Sequence, residues 1–331
     1  MTLRRALLIW IGFTLACAAF GQPAVSTRST AVVAAVPIVF ARAISAGDHL
    51  RYAGERLVQI REGADLKAHN ELVIQDGCNT RVWFTPDSPF YGQVVVETAK
   101  ERRHFYPKRN VIEVLPPKRE DAYTRLRQWV QHPGPNIRLT SSRGETVAGR
   151  QTNLGVVSDA RGNVRQRLWI DAQTGMVLKR ELLDDVGDRR DYFEFTKINY
   201  SPTILADDFR INVKGAQIVT LSDKVRIMAG QRHMLDLVLP VSTGFTLNGV
   251  NMIHPQGLDV LHESYTGPLG KLSLFQVQGA VDQQSFGPTN TRGVQLYGWQ
   301  MSGKSFALVG AYPAAELREL AQLLSGPRNG P

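Results

Sequence analysis

Near the end of the chain, Gly298 to Ser305 (GWQMSGKS) spell G-x-x-x-x-G-K-S, the consensus of a nucleotide-phosphate loop. That chemistry needs a strand that feeds a Gly-rich turn and a helix that starts at the Lys-Ser pair, so that backbone N–H groups can cradle the phosphates. Here Lys304 and Ser305 run into FALVGAYP, an apolar β-type stretch, and the loop follows GVQLYGWQ, which is also strand-like. Trp299, Gln300 and Met301 would crowd the phosphates. The segment reads as a hairpin turn with Gly303 at an unusual backbone angle, and no nucleotide is expected. The histidines lie at 49, 69, 104, 132, 233, 254 and 262, without an H-E-x-x-H pair. His254 and His262 could meet across a Pro-Gly turn, but ordinary surface roles are the simpler reading. No nucleophile elbow is present, and the acids of LLDD and ADDF are turn formers. KERRHFYPKR (100–109) interleaves bases with aromatics, as single-strand nucleic-acid binders do, yet at strand period it is a half-buried strand with Phe105 inward. No catalytic residue, cofactor, metal or nucleic acid is expected.

Other features say where the chain works. Arg4 and Arg5 precede an apolar run from Ala6 to Ala16 and then small residues, the pattern of an export signal over 1–21. The run is shorter than the roughly 20 residues of a comfortable membrane span. Lipoprotein anchoring at Cys17 is the weaker alternative, because Thr14 and Leu15 depart from a lipobox. Without Cys17, Cys78 is a lone thiol that cannot close an internal disulfide, so the exported chain relies on its core. Hydrophobic residues make up 43% of the 331, enough for such a core. The net charge of +9 falls to +7 once Arg4 and Arg5 are removed, which suits an acidic peptide or lipid phosphate with an attraction that weakens as salt rises.

Residues 22–35 are small and uncharged apart from Arg28, a tether. A short helix with Ile38, Ala41, Ile44 and Ala46 on one side ends at Gly47, and RYAGERLVQIRE follows as a strand. Short β runs separated by Gly, Pro, Asp and Asn continue to about 200. A helix over 118–131 interrupts them, with Ala122, Leu126, Trp129 and Val130 on one stripe. Turns at DAQTG and DVGD divide 164–200 into three strands of an antiparallel meander with a dry and a wet face. The boundary falls near 213–232. The second part closes with a helix that begins at Pro313, buries Leu317, Leu320, Ala321 and Leu324, and stops at Gly326.

The order of parts resembles the RseB/MucB family and, more distantly, the lipoprotein carrier LolA. LRYAGERLVQI is similar to the family's opening Y-x-G strand, RRHFYPKRNVIEVLP to its Y-x-P segment, and RLWIDAQTGMVLKREL to the hairpin shared with lipoprotein-sorting proteins. LPVSTGFTL, SYTGPLGKLSLFQVQG and YGWQMSGKSFALVGAYPAAELRELAQLL resemble the C-terminal pattern, although Thr266 or Pro268 stands where that pattern has an acid. The resemblance implies an α+β protein. A LolA-like half-open antiparallel β-barrel covered by helices would fill 36–212, with a linker over 213–232 and a smaller α/β domain over 233–326. It implies a non-enzymatic periplasmic regulator that binds the periplasmic part of a membrane anti-sigma factor, shields it from proteolysis and senses lipid or lipopolysaccharide. The runner-up is a periplasmic lipid or lipoprotein carrier. The expected lipid groove comprises Val94, Val96, Phe105, Val111, Trp169, Leu178, Leu182, Phe193 and Phe195. The expected partner-binding residues are Phe245, Tyr265, Phe275 and Trp299.

Overall fold

A computed structural model describes residues 37–62, 65–117, 122–131, 136–279, 290–291 and 293–326. The expected export signal (1–21), the tether (22–35) and Cys17 lie outside them. The described chain divides into two compact units that part between Ile218 and Val219. The segment expected as a linker over 213–232 holds a short strand and a helix.

In the first unit α1 (Ile38–His49) leads into β1 (Arg51–Glu62), β2 (Asp65–Asp76), β3 (Asn79–Phe84), β4 (Val94–Glu97), β5 (Arg102–Tyr106) and β6 (Val111–Leu115). Then come α2 (Ala122–Gln131), β7 (Ile137–Val147), β8 (Arg150–Asp159), β9 (Val164–Asp171), β10 (Val177–Leu183) and β11 (Arg189–Asn199). The first six strands form one antiparallel meander and β7 to β11 another. The two join where β1 pairs with β11, Val58 opposite Phe193. With β12 (Gln217–Thr220) beside β6, the sheet has 12 strands in the order β12-β6-β5-β4-β3-β2-β1-β11-β10-β9-β8-β7. It is open, with β12 and β7 as its two edges, and does not close into a barrel.

Register assigns the faces, because directly opposed residues share one side of a sheet and neighbours along a strand alternate. Val58, Phe193, Arg180, Leu168 and Gly155 are cross-strand partners on one face. That face packs against the helices. A Cβ at Gly155 would lie 2.9 Å from the Phe40 ring of α1, so only glycine admits that ring. Phe40, Ala43 and Leu126 of α1 and α2 join Val157, Leu168, Ile170 and Val177 in one core. The opposite face carries Phe105, Val94, Trp83, Leu72 and Glu55, again cross-strand partners.

The second unit contains α3 (Leu221–Gln231), capped by Thr220, whose Oγ1 accepts from the Asp223 N–H. Its sheet comprises β13 (Thr246–Ile253), β14 (Val260–Gly267), β15 (Gly270–Gln278), β16 (Asn290–Thr291), β17 (Val294–Met301) and β18 (Lys304–Gly310), and α4 (Ala314–Ser325) follows. The strand order is β13-β14-β15-β18-β17-β16, with antiparallel pairing throughout. Leu317, Leu320, Ala321 and Leu324 of α4 bury against Tyr265, Leu272, Leu274, Phe306 and Leu308. The phosphate-loop look-alike is the β17–β18 hairpin. Met301 opposes Lys304, and Ser302 and Gly303 form a two-residue turn with φ of 52° and 72°, which twists as the strands do.

Candidate functional site

A cavity of about 610 Å³ lies in the first unit on the face that α1 and α2 cover. Strand alternation in β1 lines it with Tyr52, Arg56, Val58 and Ile60, β2 adds Glu71 and Gln75, and β10 and β11 add Arg180, Asp191, Phe193 and Phe195. Gly47 and Asp48 of α1, Tyr123 of α2, and Met176 complete the helix side. Gly54 has a clear role between Tyr52 and Arg56. A Cβ there would sit 2.7 Å from the Lys197 carbonyl and 2.8 Å from the Phe195 ring, so its absence lets Phe195 press onto β1. Tyr52 meets that ring edge-on at 5.7 Å. The Y-x-G motif thus shapes the cavity floor.

The wall is polar as well as aromatic. Arg56 donates from Nε and Nη2 to Glu71 Oε2, both at 2.8 Å, and His69 Nε2 lies 2.9 Å from Glu71 Oε1. Burial raises the Glu71 carboxyl, but the His69 contact and the Arg56 charge outweigh it and hold the group below the ordinary carboxylate range. Burial likewise lowers Arg56, and the Glu71 charge more than restores it. The Tyr52 hydroxyl, buried and donating to Gln75 Oε1 at 2.9 Å, is pushed up to about 12. Arg180 Nη2 donates to Asp191 at 2.7 Å. The guanidinium carbons of Arg56 and Arg180 lie 5.6 and 5.3 Å from the centre of the Phe193 ring. Both arginines sit on the face expected to be dry.

Of the nine residues expected in a lipid groove, Phe193 and Phe195 line this cavity. Leu178 is fully buried in the cluster of Tyr52, Met176 and Phe195. Trp169 belongs to that cluster too and lies under the Lys179 ammonium at 4.5 Å. Val111 and Leu182 are half-buried on the cavity-bearing face, outside the cavity wall. Val94, Val96 and Phe105 pack with Ile112 and Ile211 on the opposite face. A strand-period reading puts all nine on apolar sides of strands but cannot tell which side faces which partner. Tyr52, Arg56, Glu71 and Arg180 are not among the expected groove residues, although Tyr52, Arg56, Val58 and Ile60 alternate in RYAGERLVQI.

Of the residues expected to dock a partner, Phe245, Tyr265 and Phe275 are buried in the second unit and Trp299 packs against its core. Phe245 is 3% exposed and packs on Tyr312 at 5.3 Å, and Tyr265 is 1% exposed. Phe275 is buried on the other face of the sheet with Val260, Val277 and Ala307. Trp299 is partly buried and stacks on Phe306 at 5.1 Å. The two histidines also part: His254 Nδ1 bonds Asp259 at 2.7 Å, and His262 stacks on Phe275 at 4.5 Å. Among the described residues no cluster of His, Cys, Asp and Glu could hold a metal. Cys78 is an exposed free thiol that lines the cavity.

The sheet of the first unit and its two helices thus leave between them a cavity with a mixed polar and aromatic wall. Residues 95–213, from β4 to just beyond β11, match the model of the MucB/RseB N-terminal domain, and this segment belongs to the MucB/RseB family. The chain is similar to MucB in the solved structure of the Pseudomonas aeruginosa MucA/MucB complex, at 18% identity, TM-score 0.41, over 88% of this chain and 99% of that one. The same values hold for a crystal structure of MucB in complex with MucA(peri). A LolA superfamily protein from Nitrosomonas europaea is similar at 10% identity, TM-score 0.28, over 54% of this chain and 98% of that one. No curated protein matches the chain.

Proposed function

We propose that this chain is a non-enzymatic extracytoplasmic regulator. It binds the periplasmic part of a membrane anti-sigma factor and senses lipid or lipopolysaccharide, as in envelope-stress signalling. The observation that carries this reading is the MucB/RseB match over 95–213, the stretch that includes three strands of the cavity wall. The export pattern of residues 1–21 supports a periplasmic location, and the net charge of +7 that remains of +9 without Arg4 and Arg5 supports an acidic peptide or lipid phosphate as partner. In this reading the sheet of the first unit is a half-open LolA-like barrel and its cavity is the lipid sensor. The four aromatic residues of the second unit support that unit as packing, so its docking surface would lie outside them.

The test is a pull-down with the mature chain from envelope extract, with the retained protein and lipid identified by mass spectrometry. The reading expects an anti-sigma factor, released when lipid is added. A chain that retains lipid alone and passes it to an acceptor lipoprotein carrier would be the transporter instead.

A further inference from the structure

In the second unit one buried carboxyl, Glu263, is tied through Tyr265 to an irregular stretch of chain. After α3 the segment 234–240 has no strand ladder, yet Met234, Leu237 and Leu239 are buried, the two leucines in the cluster of Tyr265, Leu272 and Leu274. Side chains of the sheet hold its backbone instead. The Tyr265 hydroxyl accepts from the Leu239 N–H at 3.3 Å and donates to Glu263. The Gln276 amide brackets Leu235, donating to its carbonyl at 3.0 Å and accepting from its N–H. Glu263 and Gln276 are each 1% exposed. Asp236, Leu237, Val238 and Pro240 of the same segment wall a groove of about 470 Å³ against α3 and α4.

Among the described residues no cation bonds Glu263. The groups that face it are the Tyr265 hydroxyl on its own strand and Asp236 of the segment, whose charge disfavours a second one beside it. α3 brings Asp223 and Arg226 to the groove that Asp236 lines, and these two pair with each other. Register sets Val250 of β13 and Leu274 of β15 opposite Glu263. α4 turns Leu317, Leu320, Ala321 and Leu324 inward and exposes Arg318 and Glu319. A carboxylate ionised in these surroundings has one hydroxyl donor and no counter-charge, a costly state that contact with water relieves. Water reaches it most directly if the segment lifts, since the Leu239 N–H shares the hydroxyl that Glu263 uses. We propose that residues 234–240 are a proton-held strap, seated while Glu263 is neutral and released as it ionises, so that rising pH loosens one wall of the groove between α3 and α4. Burial raises the carboxyl to about 8, and the Asp236 charge adds to the rise. The seated state therefore keeps a proton that the lifted state gives up. The strap is tightest below the ordinary carboxylate range, and its hold declines until about 8. This device goes beyond the regulatory role proposed above and stands whether or not the first unit takes lipid.

The test is native-state hydrogen exchange of the mature chain, followed by NMR at low denaturant and corrected for the intrinsic pH dependence of exchange. The Leu235 and Leu239 amides are expected to exchange through a local opening that low denaturant leaves unchanged, while Phe306 and Leu308 of β18 wait for unfolding of the unit. Protection of the strap amides should fall about tenfold per pH unit from about pH 5 and level off above about pH 8. Glu263→Gln keeps a partner for Tyr265 and removes the titrating proton, so its strap protection should stay level over that range. The carboxyl carbon NMR signal of Glu263 in the unsubstituted chain reads the same proton, and serves also if the Gln variant does not fold. It should titrate near about 8. Strap amides that exchange only together with Phe306 and Leu308 would overturn the proposal and reduce Glu263 to a buried acid with no moving part. Strap protection that ignores pH, a slope that survives Glu263→Gln, or a carboxyl that titrates in the ordinary range would overturn it equally.

Discussion

The two units spend their aromatic residues differently. In the second, Phe245, Tyr265, Phe275 and Phe306 are at most 3% exposed, packed under α4 or on the reverse of the sheet. In the first, Phe193 is half-buried at a cavity whose wall is studded with ion pairs, and Phe195 and Tyr52 form a layer beneath. A dry, close-packed interior resists change in volume, whereas a wall that mixes aromatic rings with guanidinium groups gives up packing for recognition. Among the described residues, the larger polar and aromatic cavity lies in the first unit. In the second unit Phe245, Tyr265 and Phe275 are buried as packing.

Substitutions in each unit, followed by hydrogen exchange, should separate the two kinds of packing. Phe306→Ala removes a fully buried ring and should cost about 4 kcal/mol in the second unit. Phe195→Ala should cost about 3 kcal/mol in the first unit, against about 1 kcal/mol for Phe193→Ala, whose ring already borders open space. Equal losses would mean that the cavity is filled in solution.

Glu263 sharpens the comparison through pH. It is a 1%-exposed carboxyl that accepts from the Tyr265 hydroxyl, and burial pushes it up to about 8. Because the folded value lies above the unfolded one, the stabilisation is complete below the ordinary carboxylate range and is lost as pH rises toward about 8. The second unit should lose about 2 kcal/mol between mildly acidic and mildly alkaline solution, and Glu263→Gln should flatten that profile. Glu71 in the first unit has the opposite sign. Its folded value is lowered, so the stability it lends is present above the ordinary carboxylate range and is lost as pH falls. The smallest effect expected is at the β17–β18 turn. Gly303→Ala forces a side chain onto a residue at φ 72° and should cost about 1 kcal/mol in a thermal melt, with ligand binding unchanged.

Local pattern was enough for much of this. The helix at 314–325, its four buried leucine and alanine positions and the glycine after it follow from 3.6-residue spacing. The three-strand meander follows from two turn signals, and the hairpin at Ser302 and Gly303 from its β flanks. The cavity needed more. It exists because β1 pairs with β11 across some 140 residues of chain, a contact no local period encodes. Irregular register at Glu55/Arg56 then changes which residues of β1 and β11 face each other. For that reason Val94 and Phe105 parted from Phe193 and Arg56 arrived beside it, where the regular β10–β11 pairing already holds Arg180.

The central claim, that this chain works by holding an anti-sigma segment under lipid control, is tested most directly by one titration. The mature chain is titrated with the extracytoplasmic segment of the anti-sigma factor encoded by its own genome, with and without lipopolysaccharide. The account predicts saturable binding at micromolar concentration or below that weakens when lipopolysaccharide is present. Absence of binding, or binding indifferent to lipid, would contradict it.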